Sequence, residues 1–522
     1  VGVKCDVVIV GSGAGGGVMA AVLAEAGYKV LVVEKGQYLA REDLSLLEGE
    51  AMDKMYEGGG ILPTEDANVL VLAGSTVGGG TAINWSASLP TPPHVLNEWS
   101  ETHGLPAFGP GGEYQDAMRA VLARLGVVSG PERTADEENT QNKALRDGCA
   151  RLGFHVADVP TNTRASAHSC GWCGFGCWSG AKQSTSETWL VDAVSTGNAR
   201  IVTGVSAACV LLRKDGARSP RPEAAGIVAV GTPASEDTLL VFFVESRMTV
   251  VSGGALSTPV LLQRSGLRNP NIGRHLRLHP VQLVWGYFPA SDKPAYEGAI
   301  ITAMSSQLAN QSLDGHGVIL QCPSVHPGVF SVLAPWLSSR DFRHRMRRFS
   351  RTVSLFALAR DHGSGTVDLH PCLGHRKIRY ALDPRDERNL VEGGVAALSV
   401  LIAAGASEVG THHRYGDSLV IDARTSQADI DNFLDRVRSH SIDRLGAPLC
   451  SAHQMGSCRM GTDPRTSAVS PTGETWDVSN LFVADSSVLP TALGVNPMVT
   501  IQSVAYCIAR QAVQALQSNR TS

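Results

Sequence analysis

The chain has 522 residues, 43% of them hydrophobic, enough for a sizeable core shared between two or three units. A formal charge of −4 argues against a nucleic-acid surface spread over the molecule, and 55 glycines without a repeat exclude collagen-like or linker architecture. Eleven cysteines, an odd number scattered along a long chain, do not form the pattern of a disulfide framework and point to a reducing, intracellular setting.

The chain starts at Val1, directly before a core strand, so we expect preceding sequence, with any targeting or membrane anchor, in the intact protein. Cys5 to Val10 is a short β-branched run, the pattern of a buried parallel strand. The turn Gly11-Ser12-Gly13-Ala14-Gly15-Gly16 follows at once, then a helical stretch from Val18 that stops at Gly27. Lys29 to Val33 reads as a second strand, closed by Glu34. Gly11 permits the tight turn, Gly13 lets backbone approach a pyrophosphate, and Gly16 lets helix and strand pack closely. The helix N-terminus offers free N–H groups to phosphates, and Glu34, roughly 20 residues on, can accept from a ribose hydroxyl. Gly11, Ser12, Gly13, Gly16 and Glu34 are therefore candidate dinucleotide contacts, although this motif alone does not separate NAD from FAD.

Further on, Gly74-Ser75-Thr76-Val77-Gly78-Gly79-Gly80-Thr81-Ala82-Ile83-Asn84 is a second glycine cluster with apolar flanks, fitting backbone packed on a large flat ligand. Cys170-Gly171-Trp172-Cys173-Gly174-Phe175-Gly176-Cys177, preceded by His168, has the spacing of metal ligands. It reads equally as a Gly-rich turn with buried or reactive thiols, and no metal ligand is assigned to it. Arg340 to Arg351 is a basic run in an acidic protein; Phe342, Met346 and Phe349 share one helical face, as in a helix lying on a membrane surface or in a solvated helix packed on the core. Val395 to Ala406 is shorter than the roughly 18–20 apolar residues of a spanning helix and reads as a core-facing helix. Asn496-Pro497 reads as an N-cap followed by proline at the first helical position, opening a helix from Met498 to Arg510.

These stretches resemble the glucose–methanol–choline (GMC) family of flavin oxidoreductases. Gly74 to Asn84 is similar to its first signature, with Ser75 atypical, and Gly254-Ala255-Leu256-Ser257-Thr258-Pro259 with Ser265-Gly266 to its second. Asn271 to Leu276, His279-Pro280, Ser451 to Gly461, Leu481 to Asp485 and Gly494 to Met498 follow in family order. Within the family the likeness is to long-chain fatty alcohol oxidases, through Tyr56 to Pro63, Ser184 to Val194 and Ala404 to His412.

The resemblance implies an α/β fold: a Rossmann-like FAD-binding domain (1–95, 190–282 and 445–522) and a discontinuous substrate-binding domain on an antiparallel sheet (96–189 and 283–444). Gly78, Gly79, Asn84, Ala207, Asp485, Pro497 and Met498 join the candidate cofactor contacts. FAD would be held noncovalently, because Ile83 stands where some members carry the His that tethers it. Alcohol oxidation needs a hydride acceptor, supplied by the flavin, and a proton acceptor near neutral pH. Of 16 His, His453 matches the active-site His and is expected to be the sole general base, with Asn496 orienting the substrate oxygen unless its side chain caps the following helix. The positive end of that helix would face the flavin.

The expected reaction is oxidation of a long-chain primary alcohol to the aldehyde, with O2 reduced to H2O2. A quinone or cytochrome acceptor is one alternative; a lyase or light-driven decarboxylase is another. No nucleic-acid partner is expected, and a peripheral membrane contact is expected through Arg340 to Arg351.

Overall fold

The computed structural model describes residues 2–128, 138–164, 168–214, 221–231, 239–311, 315–370 and 374–521. Strand β1 (Gly2–Val10) has fully buried Val7, Val8 and Ile9, as expected of an apolar run covered on both faces. It pairs in parallel with β2 (Val30–Val33) and with β7 (Leu240–Val251). With β4 (Ala199–Val202) beyond β2 and β14 (Leu481–Val483) against the C-terminal half of β7, this forms a five-stranded parallel layer. β5 (Val205–Arg213) and β6 (Glu223–Gly231) continue it as an antiparallel meander from the other half of β7. Helix α1 (Ala14–Glu25) crosses one face and packs against the final helix α6 (Met498–Thr521), so the two chain ends meet in one core.

The second sheet runs β9 (Val318–Gln321), β10 (Thr352–Ala359), β8 (Val281–Tyr287), β13 (Leu449–Ser451) and β3 (Val69–Val71). β11 (Glu408–Thr411) also pairs with β8, and β12 (Ser418–Val420) with β11. All eight residues of β10 are buried, and period-two alternation divides them between two cores. Leu355, Ala357 and Ala359 face the core under helix α4 (Pro384–Ala404); Phe356 and Leu358 face a separate apolar cluster. Helix α5 (Gln427–Ser439) packs outside α4, and the short α2 (Pro327–Leu333) and α3 (Ser339–Arg348) lie over the second cluster.

Several sequence-based expectations change. The core-facing helix expected at Val395 to Ala406 starts earlier, at Pro384, where Asp383 accepts the Arg385 N–H at 2.8 Å; it ends at Gly405 with φ +99°. The last helix runs to Thr521 rather than Arg510. The domain limits shift too: β3 and β13 belong to the second sheet, although both lie in segments assigned to the FAD-binding domain. Conversely Trp99, Phe108, Tyr114 and Val121 pack in the core of the Rossmann-like half. The chain crosses between layers through strands of three residues, too short to carry a periodic signal. Among the described residues no helix is long and apolar enough to cross a membrane.

Candidate active site

One cavity of about 670 Å³ runs from the first glycine turn, past His453, to the apolar cluster beneath α2. Gly13, Ala14 and Gly15 open the N-terminus of α1 into it, which presents unpaired first-turn N–H groups to whatever binds there. A Cβ on Gly13 would meet only Gly79 Cα, at 3.9 Å, and the Gly13 backbone lines the cavity. Gly11 (φ +99°) makes the tight turn and also lines the cavity, whereas Gly16 has a structural role: a Cβ on it would stand 2.0 Å from the Gly11 carbonyl oxygen. Gly15, which the sequence reading passed over, is tighter still, with the Ala484 carbonyl 1.7 Å from such a Cβ.

Ser12 and Gly78 do not line the cavity. Ser12 is fully buried; its N–H and Oγ–H both reach Glu34 Oε2, at 2.9 and 2.7 Å, and its Oγ accepts the Gly78 N–H at 3.0 Å. The pair therefore braces the first turn against the second glycine loop. Glu34, also accepting the Gly36 N–H at 2.8 Å, keeps a face on the cavity, as do Gly79, Asn84 and Ala207. Asp485 is buried at the strand end and accepts from Gly254 N, Thr258 Oγ1 and Ser487 N at 2.8, 2.5 and 2.8 Å. It thus fixes the second signature loop beside the cavity. Lys35 and Arg376, both paired with Glu57, add positive charge to this end, and no sequence signal had marked them.

At the other end His453 follows β13, and Asn496 precedes α6. Asn496 does not cap the helix in any hydrogen bond seen here: its Nδ2 lies 3.5 Å from His453 Nε2, and its Oδ1 accepts from Gln321 Nε2 at 3.0 Å. Pro497 and Met498 line the cavity, so the first turn of α6 points into it. Behind His453 stands His279, fully buried and held at φ +49° while Asp361 accepts its N–H at 3.2 Å. Burial pushes the His453 imidazole down to about 4, and burial plus His453 push His279 well below the ordinary range, so both are neutral at pH 7.

Hydrogen bonding then selects the tautomers. The N–H groups of Leu493 and Gly494 converge on His279 Nε2 at 3.0 and 2.9 Å, so Nε2 accepts and the ring proton sits on Nδ1. That Nδ1–H faces His453 Nδ1 at 3.3 Å, which must accept; the proton of His453 is left on Nε2, facing the cavity. A half-turn of the Asn496 and Gln321 amides completes the chain, giving Nε2–H an acceptor and pairing Gln321 Oε1, otherwise buried without a partner. In this tautomer His453 presents a donor to the cavity. His279 was visible in sequence only as part of a His-Pro pair; Gln321 carried no signal.

The cysteine-rich turn meets the cavity through Gly174 and Phe175. Buried Lys182 donates to the carbonyls of Ala82, Asn84 and Cys173 at 2.7, 2.9 and 2.8 Å, tying this turn to the second glycine loop. His168 Nε2 lies 3.0 Å from Cys173 Sγ. Burial opposes an anion at Cys177, but hydrogen bonds from His168 and the Lys182 backbone bring its thiol down to about 6. On α3 the apolar face is already used: Met346 and Phe349 pack on the second cluster, and Phe349 stacks on Tyr296 at 5.4 Å.

A Rossmann-type half with glycine turns facing the cavity, roofed by a second sheet that brings a His–Asn pair to the same cavity, defines a flavin-dependent oxidoreductase. The chain belongs to the GMC oxidoreductase family, whose models match residues 52–281 and 361–505; a model for an NAD(P)-binding Rossmann-like domain matches residues 9–41. FAD is its cofactor. Long-chain-alcohol oxidase FAO4A of Arabidopsis thaliana is 50% identical over 99% of this chain and 70% of its own length. FAO1 of the same plant is 40% identical over 99% of this chain and 68% of its own. Among solved structures, pyridoxine 4-oxidase superposes with a TM-score of 0.68 at 19% identity, over 97% of this chain and 99% of its own, which shows the shared fold.

Proposed function

We propose that the protein oxidises long-chain primary alcohols to aldehydes and passes the electrons to O2, releasing H2O2. The observation that carries this reading is the continuity of one cavity from the FAD cradle, past His453 and Asn496, to a wall of Leu283, Ile301, Val325, Leu333, Phe356 and Leu358. Such an apolar wall suits an alkyl tail. The names of the relatives, long-chain-alcohol oxidases at 40–50% identity, support the same substrate class.

FAD, when bound, accepts the hydride from the carbinol carbon. In this reading the hydroxyl oxygen accepts the Nε2–H of His453, and Asn496 orients the hydroxyl. The hydroxyl proton passes to a water molecule in the cavity, acting as the base, as the hydride departs, while His453 stabilises the alkoxide character on oxygen. The first turn of α6 presents its positive end to the cavity, where it would favour the negative charge of a reduced flavin. Ile83, at the cavity wall, offers no nucleophile to the flavin, consistent with noncovalent FAD. For lipid contact we look to the exposed Val332, Trp336 and Leu337 beside Arg340, Arg343 and Arg347, since the Met346–Phe349 side of α3 is packed inward.

Anaerobic mixing with a long-chain primary alcohol tests the reading. Bleaching of the oxidised flavin is expected, followed by one equivalent of peroxide on admitting air. Persistent colour would reject alcohol oxidation; bleaching without peroxide would replace O2 by another acceptor.

A further inference from the structure

Far from any role assigned above, the turn between β11 and β12 meets the C-terminal end of α5. His413 and Asp417 come from the turn and His440 from the residue that caps the helix. Among the described residues this is the group of three His, Cys, Asp or Glu side chains whose ligand atoms all lie within 4.8 Å of one another. The Cys170–Cys177 turn, despite its ligand-like spacing, does not bring three such atoms together.

The geometry points to a divalent transition-metal site, with His413 Nδ1, His440 Nδ1 and Asp417 Oδ2 as ligands. His440 Nδ1 and Asp417 Oδ2 face each other at 3.1 Å, yet both are buried atoms without a hydrogen-bond partner. The Asp417 side chain is nine-tenths buried. Facing lone pairs of an imidazole and a carboxylate call for a cation between them, either a proton on His440 Nδ1 or a metal ion. His413 Nδ1 stands 4.0 Å from the same oxygen. Metal–ligand bonds of about 2.0–2.2 Å in tetrahedral geometry place ligand atoms roughly 3.4 Å apart, between these two separations.

Surrounding groups prepare the ligands. His413 Nε2 faces the Ser441 carbonyl at 3.1 Å; a carbonyl can only accept, so Nε2 carries the proton and Nδ1 keeps its lone pair for a metal. Ser441 is itself held, its Oγ donating to Glu387 of α4 at 2.6 Å. The rings of His413 and His440 stack at 4.7 Å with 18° between their planes, so binding one ion through both Nδ1 atoms requires one ring to turn; the other contacts are modest. The Tyr415 N–H reaches His413 Nδ1 at 3.4 Å, and Arg436 Nε lies 3.3 Å from Asp417 Oδ1, leaving Oδ2 to the two imidazoles. Two imidazoles and one carboxylate select zinc, nickel, copper or cobalt over calcium or magnesium, which take oxygen donors. The partly exposed His440 side leaves a position for water. The metal would staple the β11–β12 turn to α5, a structural role in the substrate-binding half.

The test uses tag-free, FAD-loaded protein stripped with a chelator and titrated with Zn²⁺ by calorimetry. One equivalent per chain is expected, with a rise in melting temperature. His440→Gln and Asp417→Asn should each weaken binding at least about tenfold while the flavin spectrum stays unchanged, and Cys173→Ser and Cys177→Ser should leave binding as it was. Co²⁺ bound to the unmodified protein should give visible bands without a thiolate charge-transfer band, a readout that needs no variant. Absence of a saturable site, unchanged affinity in both ligand variants, or a thiolate band would overturn the proposal and leave His440–Asp417 as an ion pair.

Discussion

At residue scale the chemistry turns on where single protons sit. With Nε2–H facing the substrate, His453→Ala should slow flavin reduction about 10²–10³-fold, the usual cost of losing one oxyanion donor. His453→Gln keeps a donor and should recover most of that loss in stopped-flow reduction. Equal loss in both variants would restore the general-base role that the motif alone indicated. The depressed value of about 4 also fixes the pH profile. An ordinary His near 6.5 would change charge between pH 8 and 5, whereas His453 stays neutral there, so reduction should show no inflection from it until pH falls toward 4. Gly15→Ala forces a methyl into the Ala484 carbonyl and should abolish FAD retention, read as loss of flavin absorbance after gel filtration.

At the scale of elements, loops that looked separate in sequence are bolted together. Lys182 ties the cysteine-rich turn to the second glycine loop, and Ser12 ties the first glycine turn to both Glu34 and Gly78. The His168 and Lys182 surroundings bring the Cys177 thiol down to about 6, where spacing left buried and reactive thiols equally open. Its alkylation by iodoacetamide should rise through pH about 6 and then level off, where an unperturbed thiol rises near 8.5. Mass mapping of the modified cysteine, with His168→Ala expected to move the midpoint upward, checks this. Helix α3 shows the opposite limit: the Phe342, Met346 and Phe349 face was legible as a pattern, but what it packs against was not.

For the whole molecule, the apolar wall built by β8, β10 and α2 sets the expected specificity. Each methylene buried there contributes about 0.8 kcal/mol, so kcat/KM should rise up to about fourfold per CH2 until the slot is filled. Phe356→Trp should shift the preferred alcohol to shorter chains, measured across a homologous series.

The Rossmann-like opening, the family, the cofactor and the His453–Asn496 pairing were all legible in the sequence, because each rests on short-range patterns: a strand–turn–helix, a glycine spacing, a motif around one His. Domain limits were not, since β3 and β13 are three-residue strands whose sheet is decided by partners hundreds of residues away. The tautomer of His453 was likewise undetermined, because it follows from two backbone N–H groups that reach His279 only after the chain has folded. The juxtaposition of His413, Asp417 and His440 has the same origin. Local sequence determined which groups this protein has and which turns hold them; tertiary contacts decided which atom of each group faces the cavity, because hydrogen-bond direction depends on neighbours distant along the chain.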